Sequence, residues 1–321
     1  MATTKVGVLY NPNSRNGLKW YNRQAPGLDP SVLALGTETP AHIPGALTRM
    51  AQAGVTHLAV VGGDGTLDAV LTALRNNQPF THEPVIGLFN AGTTNMTFKD
   101  VGFKTLTRRP LERFVRGAHT GRLRLKQHQP LWVHSESLQA PQVGFFLGIG
   151  AVPRAIHHTR QTYHEKGITN GVSEGAMLLG AVWRLMRRDD IEHDELLRPI
   201  TCQVKTPHNQ KEVEMVLLTV TSLEKLLVGL RPYRENQPSL SVMGIFHPYT
   251  NLMRQMPALL FGTRELPLEN SDNITATQQD KCELAFDGEW TLDGEMFQAT
   301  KGAPVRIHLA SPITFAVGAD T

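Results

Sequence analysis

THLAVVGGDGTLDAVLTALRNN, residues 56–77, changes period within a few positions. THLAVV (56–61) is a short apolar run with β-branched residues, and it reads as a buried strand. TLDAVLTALRNN (66–77) places Leu67, Val70, Leu71 and Leu74 on one helical stripe. Between them stand Gly62, Gly63, Asp64, Gly65 and Thr66. Glycines in a strand-to-helix turn let backbone N–H groups approach a ligand closely. The helix N-terminus adds partial positive charge, so the turn suits a phosphate. Thr66 stands where an N-cap is expected. Asp64 repels a bare phosphate. It makes sense there if it holds Mg²⁺ on a polyphosphate or orients an attacking hydroxyl. An Asp-Gly turn made only for chain geometry gives the same string. No Gly-Lys-Ser/Thr follows, so the turn is not a Walker A loop, and G-x-G-x-x-G spacing is missing too.

The pattern continues on both sides. KVGVLY (5–10) is a strand stopped by Asn11-Pro12-Asn13-Ser14, and SVLALGT (31–37) is a second. IPGALTRMAQAG (43–54) fits a helix with Leu47, Met50 and Ala51 on one stripe. PVIGLFN (84–90) is a further strand. Strands alternating with helices imply an α/β domain with a parallel sheet. Ligands bind such sheets at the carboxyl ends of the strands, which singles out the loops NPNS, GTETP, GGDGT and NAGTTN.

From about residue 122 the texture changes. RLRLKQ, PLWVHSE, QVGFFLGIG, ITCQVKT, EVEMVLLTVTS, LSVMGIF, CELAF and VRIHLA are strand-like and separated by turns. One apolar helical segment, 173–188, interrupts them. A mostly antiparallel, β-rich second domain follows, a sandwich or partial barrel. The expected division is 1–121, 122–310, and a C-terminal segment 311–321 packing back on the first domain.

With 321 residues, 40% hydrophobic and 19% charged, the chain can fill two cores. A net charge of +3 is too weak to argue for nucleic acid. Cys202 and Cys282 have no metal-ligand spacing and form no disulfide framework. No basic, apolar leader opens the sequence, and no window approaches a membrane span. The reading is a soluble, cytoplasmic protein whose membrane contact, if any, is peripheral.

The loops together resemble the diacylglycerol kinase catalytic-domain family, bacterial lipid kinases related to sphingosine and ceramide kinases. NPNSRNG (11–17) resembles its Asn-Pro-x-Ser-Gly loop through Asn11, Pro12 and Ser14, with the glycine displaced to Gly17. GGDGT (62–66) matches outright. NAGTTNM (90–96) resembles the Pro-x-Gly-Thr-x-Asn loop through Gly92, Thr93 and Asn95. GFFLGIG (144–150) looks like the strand opening the lipid-binding half, and TLDGEMF (291–297) like the late Leu-Asp-Gly-Glu motif. GGDGT is shared with NAD kinases, but their Gly-Ile-Asn loop and later Asn-Glu pair are absent here. The resemblance implies an NAD-kinase/phosphofructokinase-like first domain and transfer of the ATP γ-phosphate to a lipid hydroxyl. It implies that Asn11, Ser14, Thr39, Gly62, Gly63, Asp64, Gly65, Thr66, Gly92 and Thr93 line the ATP site. Asp64 would sit beside Mg²⁺, and Asp293 and Glu295 would complete the catalytic set, Glu295 as general base.

The sequence also departs from the family. About 16 residues separate the NPNS loop from the second strand, too few for the family's long first helix. RPYRENQPSL (231–240) stands where the family often carries an Asp-Asp-Gly run linked to a structural Mg²⁺, and it has no aspartate. FDGEW (286–290) and LDGEM (292–296) both offer Asp-Gly-Glu, and each is also a hairpin signal. Spacing to the last strands favours Glu295 over Glu289. His157, His158, His164 and Glu165 are poorly spaced for a shared metal. Residues 177–188 and 251–261 are apolar with basic residues and could touch an anionic membrane. Arg15, Lys19 and Arg23 form a loose basic cluster. Two alternatives stay open, a soluble-metabolite kinase of the NAD-kinase type and a non-catalytic lipid- or nucleotide-binding protein.

Overall fold

The computed structural model describes residues 4–14, 17–91, 96–166, 195–207, 209–224, 239–248 and 274–320, with residues 226, 231, 254, 255, 257, 261–263 and 265–268. The chain divides into two compact units, Met1–Gln129 with Ser311–Thr321, and Pro130–Ala310.

In the first unit the elements are β1 (Val6–Tyr10), α1 (Gly17–Gln24), β2 (Leu33–Gly36), α2 (Ile43–Gln52), β3 (His57–Gly62), α3 (Asp64–Asn77) and β4 (Val85–Asn90). Then come α4 (Met96–Val101), α5 (Pro110–Thr120) and β5 (Leu123–His128). The sheet order is β2-β1-β3-β4-β17-β5, where β17 is the last strand, Ile313–Ala319. β1 to β4 are parallel. β3 is buried at every position after His57, as a strand covered on both faces must be. The helices bury the stripes their spacing announces. These are Ile43, Ala46, Leu47 and Met50 on α2, and Leu67, Val70, Leu71 and Leu74 on α3. α1 has only eight residues. α5 begins on Pro110 and ends at Gly121 in the left-handed region, a start and stop that favour a helix between them.

RLRLKQ proves to be part of the first sheet. β5 pairs antiparallel with β17 at the sheet edge and does not open the β-rich unit. Its mostly exposed and half-buried residues suit an edge strand of either sheet.

The second unit comprises β6 (Leu131–His134), β7 (Gln142–Gly144), β8 (Phe146–Gly150), α6 (Ala151–Lys166), β9 (Ile200–Lys205) and β10 (Gln210–Thr221). It continues with β11 (Leu240–His247), β12 (Ile274–Gln279), β13 (Lys281–Phe286), β14 (Glu289–Leu292), β15 (Glu295–Gln298) and β16 (Val305–Leu309). All these strands join one eleven-stranded sheet, antiparallel in each pairing. One apolar cluster, from Leu131 through Leu147, Val204, Leu218 and Trp290 to Ile307, is shared by its strands. A single sheet reaches one common core only by curling, which is the partial-barrel arrangement. Long β10 helps. Its first half pairs with β9, its second half with β8, and β11 runs along it with a register shift between Met215 and Leu217. The segments 177–188 and 231–240 lie almost wholly outside the described residues, as does most of 251–261.

Candidate functional site

The strand order places a topological switch point between β1 and β3, because the chain leaves β1 for β2 and returns across it to β3. The loops that flank this point are NPNS and GGDGT, the position where open α/β sheets bind ligands. Asn11 ties them together. Its N–H donates to the Val61 carbonyl at 3.1 Å, and its side-chain amide reaches Thr66 Oγ1 at 3.4 Å. The NPNS loop is a closed turn. Ser14 Oγ donates to the Asn11 carbonyl at 2.9 Å, and the Asn13 N–H donates to Asn11 Oδ1 at 2.9 Å. Asn13 Nδ2 reaches the Glu38 carbonyl at 3.1 Å, linking this loop to the one after β2. Exposed Thr39 opens a short 3-10 turn in that loop without a side-chain cap bond.

The GGDGT turn differs in one respect from its sequence reading. The N-cap is Gly63, with extended backbone, and α3 already begins at Asp64. Thr66 is therefore inside the first turn, where it receives the Asn11 amide. Gly62 cannot be larger, because a Cβ there would lie 2.5 Å from the Thr66 Cβ. Asp64 is buried, 9% exposed, and its Oδ1 accepts the Thr97 N–H at 3.2 Å. The carboxylate thus joins the GGDGT turn to α4, which follows the NAGTTN loop. Gly92 and Thr93 in that loop lie outside the described residues.

Two hydroxyls beside these loops escaped the sequence reading. Thr37 and Thr97 are buried, and among the described residues neither Oγ1 has a hydrogen-bond partner. Asp68, one helical turn beyond Asp64 on α3, is also buried, and its i+4 spacing was a usable signal. Tyr10 and Tyr21 stack with ring centroids 4.2 Å apart at the end of β1. Burial first, and Tyr10 second, push the Tyr21 phenol above its ordinary value.

In the second unit the two Asp-Gly-Glu copies have different settings. Asp293 and Gly294 both have positive φ, 49° and 97°, and form the two-residue turn between paired strands β14 and β15. The Asp293 carboxylate grips the chain between β7 and β8. Its Oδ2 accepts the Phe145 N–H at 2.6 Å and its Oδ1 the Phe146 N–H at 3.0 Å. Its own N–H donates to the Phe146 carbonyl at 2.9 Å. The apolar run QVGFFLGIG is broken into two strands at this clamp. Asp287 and Gly288 instead connect β13 to β14, which are not neighbours in the sheet.

Pairing fixes which way each glutamate faces. Glu295 stands opposite Leu292, so it shares the face of Leu292 and Trp290, at the exposed edge of the sheet. Glu289 stands opposite Gln298 on the other face, and its Oε2 lies 3.0 Å from His157 Nε2 on α6. His157 thus lies beside Glu289. The side chains of His164 and Glu165 lie outside the described residues. Among the described residues no group of three or more His, Cys, Asp or Glu side chains is arranged to hold a metal. Among them, too, no helix is long and apolar enough to cross a membrane.

Comparison with known proteins bears out the resemblance read from the motifs. Residues 5–123 match the family model of the diacylglycerol kinase catalytic domain. A solved structure of a diacylglycerol kinase from Bacillus anthracis str. Sterne aligns over 98% of this chain and 96% of that one. Its TM-score is 0.63 at 15% identity. A second structure from the same organism, assigned provisionally as a diacylglycerol kinase, gives a TM-score of 0.65 at 17% identity over 98% and 96% of the two chains. At such identities the similarity is one of fold, and it extends through both units. No curated protein matches the chain.

Proposed function

We propose that this chain is an ATP- and Mg²⁺-dependent kinase that phosphorylates the hydroxyl of a lipid, diacylglycerol or a close relative, from the cytoplasmic side of a membrane. The observation that carries the reading is the match of residues 5–123 to the diacylglycerol kinase catalytic domain. The site's chemistry suits the ligand. Two buried hydroxyls without partners among the described residues, Thr37 and Thr97, stand beside loops that already suit phosphate, and buried groups of this kind are ordinarily satisfied.

Asn11, Ser14, Thr39 and Gly62 to Thr66, with Gly92 and Thr93, would line the ATP site, and Asp64 would hold the metal. When bound, Mg-ATP supplies the transferable phosphoryl group. Asp64 keeps Oδ1 on the Thr97 N–H and so fixes the GGDGT turn against α4. Asn11 keeps the β1 loop against that turn. Glu295, the acidic residue of the second copy, would take the proton from the lipid hydroxyl. Asp293 supports this arrangement through the backbone, since its carboxylate is spent on Phe145 and Phe146.

The test is transfer of radiolabelled γ-phosphate to an extracted lipid pool, with the product identified by mass. A phosphorylated glycerolipid is expected. Label on NAD alone, or no label on any lipid, would refute the reading.

A further inference from the structure

The connection from α4 to α5 carries a feature that phosphoryl transfer does not use. Leu106 is fully exposed, at 106%. A lone exposed leucine needs no explanation by itself, but this one is held at the tip of an anchored loop. At one end Phe103 is buried and donates to the Leu88 carbonyl at 2.9 Å, and the Lys104 N–H donates to the Val317 carbonyl at 3.1 Å. At the other end the Gln24 amide donates to the Arg108 carbonyl at 3.2 Å, before Pro110 opens α5. Between them the Thr107 N–H donates to Thr105 Oγ1 at 3.3 Å. Leu106 is presented outward by a turn that is already formed, so little ordering cost remains on binding.

The surroundings are cationic. Lys104, Arg108 and Arg109 are exposed on the loop itself, and Lys19 and Arg23 are exposed on α1, whose last residue makes the Arg108 contact. Lys104 Nζ donates to the Lys99 carbonyl at 2.6 Å. Of the acidic groups, Glu112 meets this set, 3.3 Å from Arg109. An apolar tip flanked along its loop by exposed cations is complementary to an anionic bilayer, where the leucine enters the acyl boundary and the cations stay among the phosphates. A protein partner would need a far larger apolar area than one leucine offers.

We infer that the loop 104–109 docks the first unit on an anionic lipid surface. The inference deepens the lipid-kinase reading by naming the surface through which the protein meets its substrate's phase. It rests on exposure and charge in the first unit, and its test uses neither nucleotide nor acceptor. A negative kinase assay therefore leaves it standing, and a negative docking assay leaves the kinase reading standing.

The experiment is co-sedimentation of the full chain with vesicles of phosphatidylcholine alone and of phosphatidylcholine mixed with phosphatidylglycerol. Wild type is expected to bind the mixed vesicles at least about tenfold better than the neutral ones, and less at raised salt. Leu106→Asp should lower that binding about tenfold or more, the scale of losing one buried leucine. Lys104→Ala and Arg108→Ala should each lower it about fivefold. Since Leu106 is fully exposed, these variants should keep the wild-type circular dichroism. Leu106→Trp supplies an independent readout, fluorescence that shifts to the blue on mixed vesicles beyond any shift of wild type. The inference is overturned if wild type ignores the mixed vesicles or binds neutral ones equally. It is also overturned if Leu106→Asp binds like wild type, or if the introduced tryptophan stays in water.

Discussion

Asp293 belongs to the motif that suggested catalysis, yet its geometry is that of a clamp. Its carboxylate accepts two backbone N–H bonds, at 2.6 and 3.0 Å, from residues well over a hundred positions away, and Phe145 is fully buried. Bonds to a charged acceptor contribute about 1.5–3 kcal/mol each, and a buried donor left unpaired adds its own cost. Asp293→Gly isolates this loss, because glycine accepts the φ of 49° without strain. The expected destabilisation is about 3–5 kcal/mol for Gly, and about 1–3 kcal/mol for Asn, which keeps one acceptor and tolerates the left-handed region. In a unit of this size that corresponds to a fall in Tm of roughly 6–20 °C for Gly. Thermal unfolding followed by circular dichroism measures it, and hydrogen exchange at Phe145 and Phe146 shows whether protection is lost at the clamp itself. If both variants melt within a degree or two of wild type, the clamp is not stabilising. If Asp293→Asn keeps full stability and loses turnover, the residue is chemical after all.

The other expectations are simpler. Asp64→Asn keeps an oxygen for the Thr97 N–H but removes the charge, so phosphoryl transfer should fall about a thousandfold with the fold intact, and turnover within tenfold of wild type would remove its assigned role. Glu295→Gln should lower kcat about a hundredfold or more with the KM for ATP nearly unchanged, whereas Glu289→Gln should be mild; steady-state kinetics on both variants decide between the two copies. Burial first, and His119 second, hold the His57 imidazole below its ordinary value of 6.5. The unfolded chain therefore takes up a proton before the folded one as pH falls, and stability present above about pH 6.5 is lost toward the lower folded value. His57→Gln should flatten this slope in urea titrations, and an unchanged slope would exclude His57 as its source. Burial pushes the Cys202 thiol up to about 12 and the Cys282 thiol higher still, so iodoacetamide at mildly alkaline pH should label neither until the chain is denatured.

What the sequence made legible was local. The strand, turn and helix around GGDGT could be read because the apolar period changes sharply at Gly62, and the loops at the strand ends follow from the alternation alone. α5 was missed although Pro110, Gly121 and the stripe Leu111, Phe114, Val115 and Ala118 mark it plainly in hindsight. Arg113 and Arg116, with Arg108 and Arg109 just before the helix, hid the stripe. β5 was assigned to the wrong sheet because an alternating edge strand carries no record of its partner, and that partner, β17, lies near the other end of the chain. Asp293 could be placed in a turn from Asp-Gly, but its grip on Phe145 and Phe146 is a long-range contact that no local pattern encodes. The hydroxyls of Thr37 and Thr97, without partners among the described residues, are likewise visible only once burial is known.

The two Asp-Gly-Glu copies show how pairing separates residues that look equivalent in sequence. A two-residue Asp-Gly turn must join neighbouring strands. The copy at 293–295 does so, between β14 and β15, while the copy at 287–289 crosses between strands that are not adjacent. The hairpin then sets direction. With Leu292 opposite Glu295, both point to one face; with Glu289 opposite Gln298, that pair points to the other. α6 meets the second face, and there Glu289 has His157 at 3.0 Å. That position sets Glu289 against α6, away from the face that carries Leu292 and Trp290. Among the described residues Glu295 carries no ion pair, and it is exposed on the last strand of the sheet order. If the base were instead Glu289, replacing His157 would raise or abolish turnover along with it. His157→Ala is therefore expected to leave kcat nearly unchanged.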